Sequence, residues 1–459
     1  MTQARLETID LPDFGLPDAM PQLPDQLYAE RLARVRERIA EHGYDALVIY
    51  ADREHSANLA WLSGFDPRFE EAVLIVGPAG DPLLLTGIEC VAMARRAPLD
   101  MRVELAPDLS LVGQPRPQER AFAAILVAER IRAGSRIGIA GWKAQPDRAW
   151  LETPAFIVDA LRDAVGSEGL LENAGDIFTH PEAGLRTINE PEQLASMEYA
   201  ACHTSEGIKR LMTGLRPGMT EQEAVRLLQW PGLPMSCHMM LSSGERATLG
   251  LLSPTDRVIE LGDRFTVAYG LWGALDCRAG FVAYDADDLP EEIRDYERKL
   301  VAPYFEAVAR WLEALHVGQT GGALQAVIDE QLSDPFFGIF LTPGHLISLE
   351  EWLHSPIAPG SQVRLRSGMV LESDVIPATG TAYFTTNVES PFALADAALR
   401  ADLAERYPRM WARIEARRSF VRDQLGIELH PDVLPFSNLP AYLAPFLLRP
   451  ARAMTRRPS

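Results

Sequence analysis

Short apolar runs alternate with amphipathic segments through the first third of the chain, and this alternation restricts the fold more than any other feature. Residues Gln26–His42 place apolar side chains every three or four positions, and Gly43 follows where a helix would end. Further strand-like runs lie at Ala46–Tyr50, Val73–Val76, Leu83–Leu85 and Arg136–Ala140, and helical patterns at Gln118–Arg132 and Phe156–Ala164. The alternation predicts an α/β domain in which helices cover a sheet.

The pattern changes at Leu185, and we predict a domain boundary there. Residues 185–228 contain two helical patterns, with Pro191 in the first turn of one, and Thr220 and Glu223 spaced as a capping box for the other. Strand-like segments follow at Ser236–Gly244, Arg264–Gly270 and Leu275–Ala283, then helical segments at Glu291–Leu315 and Gly322–Leu332. We expect an N-terminal domain (residues 1–184, with 1–24 as an extended arm), an α+β domain (185–394) and a helical C-terminal extension (395–459).

Composition narrows the classes of partner. The chain has 64 acidic and 44 basic residues and a net charge of −20, which disfavours nucleic acid and anionic membrane. The Met1–Asp10 segment lacks a signal-peptide pattern, and no apolar run reaches bilayer length. Four cysteines without paired spacing are typical of reduced thiols. We therefore expect a cytoplasmic protein that acts on a small molecule.

The stretch from Pro343 to Pro377 concentrates residues that can exchange protons or hold a metal. It contains His345, His354 and Asp374 among apolar neighbours. A buried carboxylate such as Asp374, or Glu389 further on, is costly unless it pairs with a metal, a cation or a histidine. The Glu351–Trp352 step indicates either a solvated turn or a cation-binding wall.

Two strand-like segments earlier in the chain are expected to supply the other half of such a site. Arg278 either binds a substrate carboxylate or pairs with Asp276. His238 fits core packing and a pocket role equally well. Cys237 and Cys277 are predicted to be small buried hydrophobic residues, because nothing in the sequence marks a lowered thiol pKa.

A charged loop between strands of the N-terminal domain carries further candidates. Residues 51–73 include Arg53 and His55 among several carboxylates. These side chains form either a solvated loop with structural ion pairs or a surface that reaches a substrate, in the same subunit or a neighbouring one.

Five motifs together resemble the pita-bread superfamily, which includes aminopeptidase P, prolidase, methionine aminopeptidase and creatinase. They are the helical pair from Leu185, Gly-Asp at 262–263, Pro-Gly-His at 343–345, Gly-Met-Val at 368–370 and Asn-Val-Glu-Ser at 387–390. The resemblance covers residues 185–392, and residues 26–180 resemble the creatinase-type N-terminal domain. It implies two α+β halves around a central pocket and a homodimer.

The metallopeptidases of this family hold two divalent ions with two aspartates, one histidine and two glutamates. By the resemblance, His345, Asp374 and Glu389 match the histidine and the two glutamates, whereas the first aspartate position falls on Ala268. The second falls on Ala279, or on Asp276 if the hairpin is shorter. We therefore expect no dinuclear centre and no cofactor. One ion held by the histidine and the two acidic residues is the alternative.

Three functions follow as hypotheses. The first is a hydrolase that acts on a C–N bond of a small molecule, with His345 as acid/base, Asp374 and Glu389 as partners, and His238 or His354 assisting. The second is a single-metal Xaa-Pro-type peptidase, and the third is a non-catalytic binding module. An enclosed pocket with converging polar groups would favour an enzyme over a binding module.

Overall fold

The computed structural model describes residues 4–116 and 122–457 and divides into two compact units. One comprises Leu23–Thr187, and the other Met1–Gln22 together with Ile188–Ser459. Within the described ranges, no helix combines the length and the apolar character that crossing a bilayer requires.

Strands and helices are numbered in the order in which they follow one another along the chain. The strands are β1 (Arg5–Thr8), β2 (Ala46–Ala51), β3 (Ala72–Val76), β4 (Leu83–Thr86), β5 (Arg102–Leu105), β6 (Arg136–Ala140), β7 (Leu170–Asn173), β8 (Met240–Ser243), β9 (Arg264–Leu271), β10 (Ala274–Phe281), β11 (His345–Leu346), β12 (Val370–Glu372), β13 (Asn387–Glu389), β14 (Pro391–Leu394), β15 (Val433–Pro435) and β16 (Arg452–Thr455). The helices are α1 (Asp25–His42), α2 (Ala57–Ser63), α3 (Val91–Ala94), α4 (Phe122–Ala128), α5 (Ala155–Val165), α6 (Asp176–Thr179), α7 (Pro191–Gly214), α8 (Glu221–Arg226), α9 (Ala302–Ala314), α10 (Gly321–Gln331), α11 (Ala397–Arg406) and α12 (Pro408–Asp423).

The unit of residues 23–187 is an α/β domain, as the alternating pattern predicts. Its six-stranded sheet has the order β5-β4-β3-β2-β6-β7, with β3 antiparallel to both of its neighbours and the outer pairs parallel. Helix α1 ends before Gly43, whose φ of 67° is the left-handed conformation that glycine adopts without a Cβ clash. Within the segment 118–132, where a helix is predicted, the structure has helix α4. Residues 118–121 lie outside the described part of the chain.

The larger unit contains two four-stranded antiparallel sheets, with the orders β13-β10-β9-β8 and β11-β12-β14-β15. Helix α7 begins with Pro191 and packs against β9 and β10. The predicted capping box is present at α8, where the Thr220 side chain and Glu223 satisfy each other's backbone N–H groups. A five-residue π-helical segment, Glu297–Val301, leads into α9, so Pro303 lies in its first turn rather than interrupting a longer helix.

Three expectations about segments need correction. Residues 1–22 group with the C-terminal unit rather than the N-terminal one, because β1 pairs antiparallel with β16. Residues 395–459 are not a purely helical extension, because β15 pairs with β14 and so completes the second sheet of the larger unit. The strand predicted at Ser236–Gly244 is limited to β8.

Candidate active site

The first half of the candidate site is a row of side chains across the sheet β13-β10-β9-β8. Glu389 lies directly opposite Cys277, Cys277 opposite Ala268, and Ala268 opposite Met240. Directly opposite residues in antiparallel strands point to the same face of a sheet. A carboxylate and a thiol are therefore neighbours on one face, and alanine occupies the next position.

The second half comes from the edge of the other sheet, where His345 lies opposite Glu372. The preceding residue, Gly344, has a φ of 122°, and a Cβ there would lie 2.8 Å from the Glu372 carbonyl oxygen and 2.9 Å from the Trp311 ring. Only glycine fits this close approach. The Pro-Gly-His motif therefore holds His345 against β12, with the imidazole fully buried.

Three carboxylates surround the imidazole of His345. Its Nε2 atom lies 3.2 Å from Glu351, 3.6 Å from Glu389 and 4.0 Å from Asp374. These distances allow ion pairing, yet none of the described groups is aligned to form a hydrogen bond with Nε2. The Oδ1 atom of Asp374 is also buried without a hydrogen-bond partner in the described part of the chain. Buried polar atoms of this kind are typical of a site that receives a ligand or ordered water.

The charged side chains in this cluster shift one another's pKa values. Burial lowers the pKa of His345, but Glu351, Glu389 and Asp374 outweigh burial and hold that pKa well above its usual value. Burial, and then the charge of Glu389, raise the pKa of Asp374 well above its usual range. The three carboxylates therefore favour the protonated imidazole, and the cluster favours a positive charge or a retained proton among its carboxylates.

Trp352 and Glu351 form the partly exposed edge of the cluster. The indole ring of Trp352 stacks on the His345 imidazole with 4.1 Å between ring centroids, and Trp352 is 42% exposed. The Glu351 side chain is 26% exposed, whereas those of Asp374 and Glu389 are 7% and 4% exposed. A cationic imidazole between an aromatic face and a carboxylate is a favourable arrangement.

Glu372 is a site residue that the sequence reasoning missed. Its carboxylate is fully buried, Oε1 accepts a hydrogen bond of 3.1 Å from the Leu275 N–H, and Oε2 has no hydrogen-bond partner among the described residues. Burial and the charges of Glu389 and Asp276 raise the pKa of Glu372 well above its usual value. The signal in the sequence was the position of Glu372 two residues before Asp374. In an extended segment, residues two apart point to the same face.

Asp276 and Arg278 lie on the opposite face of the sheet from Cys277. Asp276 is fully buried, with 2.7 Å hydrogen bonds from the hydroxyl groups of Thr204 and Ser437. Arg278 donates to three backbone carbonyl groups, those of Cys277, Glu389 and Leu439. The expectation that Asp276 fills the second aspartate position is therefore corrected, because its side chain lies on the face of β10 opposite to that of Cys277 and Glu389.

The structure does not gather every predicted residue around His345. His238 is exposed, and its Nε2 lies 2.8 Å from the Leu251 carbonyl oxygen. His354 pairs through its backbone with Leu346, and its side chain is not among the ligand atoms that converge at His345. In the other unit, Arg53 is exposed and His55 forms an ion pair with Asp52.

The residues present do not fit two divalent ions. Ala268 offers no ligand atom, and Cys277 offers a thiol whose pKa is raised well above its usual value by burial and by Glu389. One ion fits better, because the ligand atoms of His345, Glu351 and Glu389 all lie within 4.8 Å of one another. A histidine and two carboxylates are a known ligand set for a single divalent ion.

Solved structures that are similar in fold include prolidases and Xaa-Pro peptidases. The prolidase of Pyrococcus horikoshii matches with a TM-score of 0.62 and 16% identity over 80% of this chain and 95% of its own. The X-Pro aminopeptidase of Thermotoga maritima gives a TM-score of 0.61 and 18% identity, over 80% of this chain and 95% of that one. The chain therefore has the two-domain pita-bread architecture of these structures, as the motifs predict.

The N-terminal unit carries a sequence match of its own. Residues 31–149 match the family model of the creatinase/prolidase N-terminal domain. The uncharacterized peptidase YqhT of Bacillus subtilis is 26% identical over 214 residues, which are 43% of this chain and 57% of that protein. The first match shows that this unit is similar to the N-terminal domain of creatinase and prolidase, and the second that the chain is similar to a peptidase.

Proposed function

We propose that the protein is a hydrolase that cleaves a C–N bond of a small molecule at the His345 cluster, without a dinuclear metal centre. The observation that carries this proposal is a buried imidazole within 4.0 Å of three carboxylates, with Nε2 unaligned to any of them. Such a group can donate a proton to a nitrogen that leaves the substrate.

The charges of the cluster support a substrate that carries a cation or a polar nitrogen. His345 is the basic side chain that lies among Glu351, Glu372, Asp374 and Glu389, so a second positive group would relieve the remaining repulsion. Glu351 and Trp352, at the exposed edge, are positioned to receive that group, and Asp374 and Glu389 to hold a polar atom at the reacting centre. Amides and amidines are substrates of this kind.

A single-metal peptidase is the second candidate, and the convergence of His345, Glu351 and Glu389 favours it. A divalent ion held by these residues would supply Lewis acidity and an activated water at neutral pH. In that case Asp374, 4.0 Å from His345 Nε2, would orient the ligands rather than the substrate. The name "Xaa-Pro" belongs to solved structures that share the fold, and an Xaa-Pro substrate here is a proposal only.

The test is turnover by the purified protein before and after exhaustive chelation, on amides, amidines, lactams and Xaa-Pro dipeptides. Release of amine that survives chelation and is lost in His345→Gln supports the first candidate. Activity on Xaa-Pro dipeptides that disappears on chelation and returns with one equivalent of a divalent ion supports the second. No turnover by either form contradicts both and favours a binding module.

We further propose that the protein is a cytoplasmic homodimer whose substrate is a small molecule, with no nucleic acid or membrane partner. The net charge of −20 disfavours nucleic acid and anionic membrane as partners. Four cysteines outside any disulfide support a reducing compartment. Sedimentation of the full chain tests the dimer, since a single species at the monomer mass would contradict it.

A further inference from the structure

The thiol of Cys277 stands beside a carboxylate inside the candidate site. The register of β10 and β13 places Cys277 directly opposite Glu389, and burial and then the charge of the Glu389 carboxylate raise the pKa of the thiol. Cys277 is 7% exposed, comparable with the 6% of Asp374 and the 3% of Glu389. The thiol and these two carboxylates are therefore buried to a similar degree.

Two further observations separate this cysteine from an ordinary core thiol. Glu389 also lies 3.6 Å from His345 Nε2, so one carboxylate links the thiol to the imidazole. The buried Nε2 of His345 and Oδ1 of Asp374 both lack hydrogen-bond partners within the described residues. A nucleophile, an adjacent base and an acid held by that base are the parts that covalent catalysis requires.

We propose that Cys277 is the nucleophile of the C–N bond cleavage, with Glu389 as the base and His345 as the acid. This inference rests on the proposed function and names how that site would act. The substrate class is an amide or amidine, whose planar carbon accepts the sulfur and whose nitrogen departs as an amine.

The chemistry balances in two steps. The sulfur of Cys277 bonds to the substrate carbon as its proton passes to Glu389, and the C–N bond breaks as His345 protonates the departing nitrogen. Water then attacks the thioester or S-linked amidine and gives a proton to His345, while Glu389 returns its proton to the departing sulfur. Both steps leave the enzyme unchanged overall and need no oxidant, reductant or co-reactant besides water.

Burial and then the charge of Glu389 raise the pKa of the Cys277 thiol, so the thiol keeps its proton until a base removes it. A thiolate beside Glu389 would be repelled, so the proton leaves the sulfur as the bond to carbon forms, as in other base-assisted nucleophiles. Cys237 lies near the same face, since a Cβ at Gly270 would be 3.1 Å from its sulfur atom. It is therefore the control thiol within the site, and Cys90, in the other unit, is the control outside it.

The first experiment compares the alkylation of Cys277 by 2-chloroacetamidine, which is cationic, and by neutral chloroacetamide. In each reaction an S–C bond forms, chloride leaves and Glu389 accepts the thiol proton. We expect the amidine to label Cys277 at least about tenfold faster, because the acidic cluster attracts its charge. Glu389→Gln should remove most of that preference. Peptide mass spectrometry that finds Cys277 unlabelled, or labelled equally by both reagents, would overturn the proposal.

The second experiment uses the substrate found in the turnover panel. Acid quenching during turnover should trap an adduct on the peptide that contains Cys277. Cys277→Ala should lose both the adduct and turnover by at least about a hundredfold, while Cys90→Ala keeps both. Cys277→Ser, with a thermal unfolding midpoint near that of the wild type, controls for misfolding. Turnover by Cys277→Ala above a tenth of the wild-type rate overturns the nucleophile but leaves the hydrolase intact, whereas no wild-type turnover overturns the hydrolase itself.

Discussion

Glu389 contacts both halves of the candidate site, since it lies opposite Cys277 in one sheet and 3.6 Å from the His345 Nε2 that the other sheet supplies. Ala268 lies beside Cys277 at the position where the resemblance to the metallopeptidases implies the first aspartate, and Ala279, at the second implied position, also offers no ligand atom. The site therefore keeps a histidine and carboxylates but lacks the ligands for a second ion. A function proposed for the site must account for its charges and for the buried polar atoms that lack hydrogen-bond partners among the described residues.

His345→Gln should lower turnover by about 10²–10⁴-fold, because it removes a positioned general acid while it keeps the shape of the side chain. The measurement is the steady-state rate on the substrate that the panel identifies. His430→Gln is the control, since His430 lies near the surface, paired with Asp432. A His345→Gln rate within threefold of the wild type would contradict the assignment of His345 as the acid.

Gly344→Ala should destabilise the larger unit by about 2–4 kcal/mol, because the new methyl group meets the Glu372 carbonyl oxygen and the Trp311 ring. Urea unfolding gives the free-energy difference. Gly360→Ala is the matched control, since Gly360 also has a positive φ, of 70°, but nothing lies within 4 Å of a Cβ there. It should cost only about 1 kcal/mol. Equal losses for the two variants would show that the close approach at Gly344 does not matter.

Arg278→Met should cost about 3–5 kcal/mol of unfolding free energy, because it leaves three backbone carbonyls and the buried Asp276 without their cation. Arg298→Met, which removes an exposed pair with Asp295, should cost less than about 1 kcal/mol. Chemical unfolding measures both. A normally stable Arg278→Met protein with a raised KM would instead restore the substrate-binding role that the sequence suggested.

Stability should depend on pH through Asp276. Burial raises the pKa of Asp276 to about 6, outweighing Arg278 and its hydroxyl partners. The unfolded carboxyl titrates near 3.9, so the folded state holds the proton more tightly between these values. Its contribution is therefore fully present below about pH 4 and is lost as the pH rises through 6, a change of about 3 kcal/mol.

The comparison that isolates this effect is between the wild type and Asp276→Asn, a variant that cannot titrate there. Unfolding free energies from pH 4 to pH 7 should show the wild type losing stability relative to the variant as the pH rises. A difference that stays constant over this range, or that grows in favour of the wild type, would mean that Asp276 is ionised throughout.

Local patterns in the sequence predicted most of the regular elements. Helix α1 and strand β6 were predicted to within a residue because their apolar spacing and the glycine after α1 are local signals. The convergence of His345, Asp374 and Glu389 followed from the order of motifs, although the residues lie far apart in the chain. Periodicity could not assign residues 1–22 to a unit, because the pairing of β1 with β16, from Arg5–Thr455 to Thr8–Arg452, decides it.

The position of Cys277 beside Glu389 was not predicted, because a shift of one residue in a hairpin exchanges the two faces of a strand. A signal was present, since Trp272-Gly273 forms a two-residue turn with Gly273 at a φ of 94°. Counting outward from that turn pairs Leu271 with Ala274 and therefore Ala268 with Cys277. Such a count would have shown that the Asp276 side chain lies on the face opposite the site.

The most direct test of the account is the number of divalent ions that one chain binds. Chelated protein is dialysed in turn against Mn²⁺, Co²⁺ and Zn²⁺, and the bound metal is determined by elemental mass spectrometry beside a His345→Gln control. We predict at most one tightly bound ion per chain, and none in His345→Gln, because Ala268 and Ala279 offer no ligand atoms and Asp276 lies on the opposite face of its strand. Two tightly bound ions per chain would contradict the account.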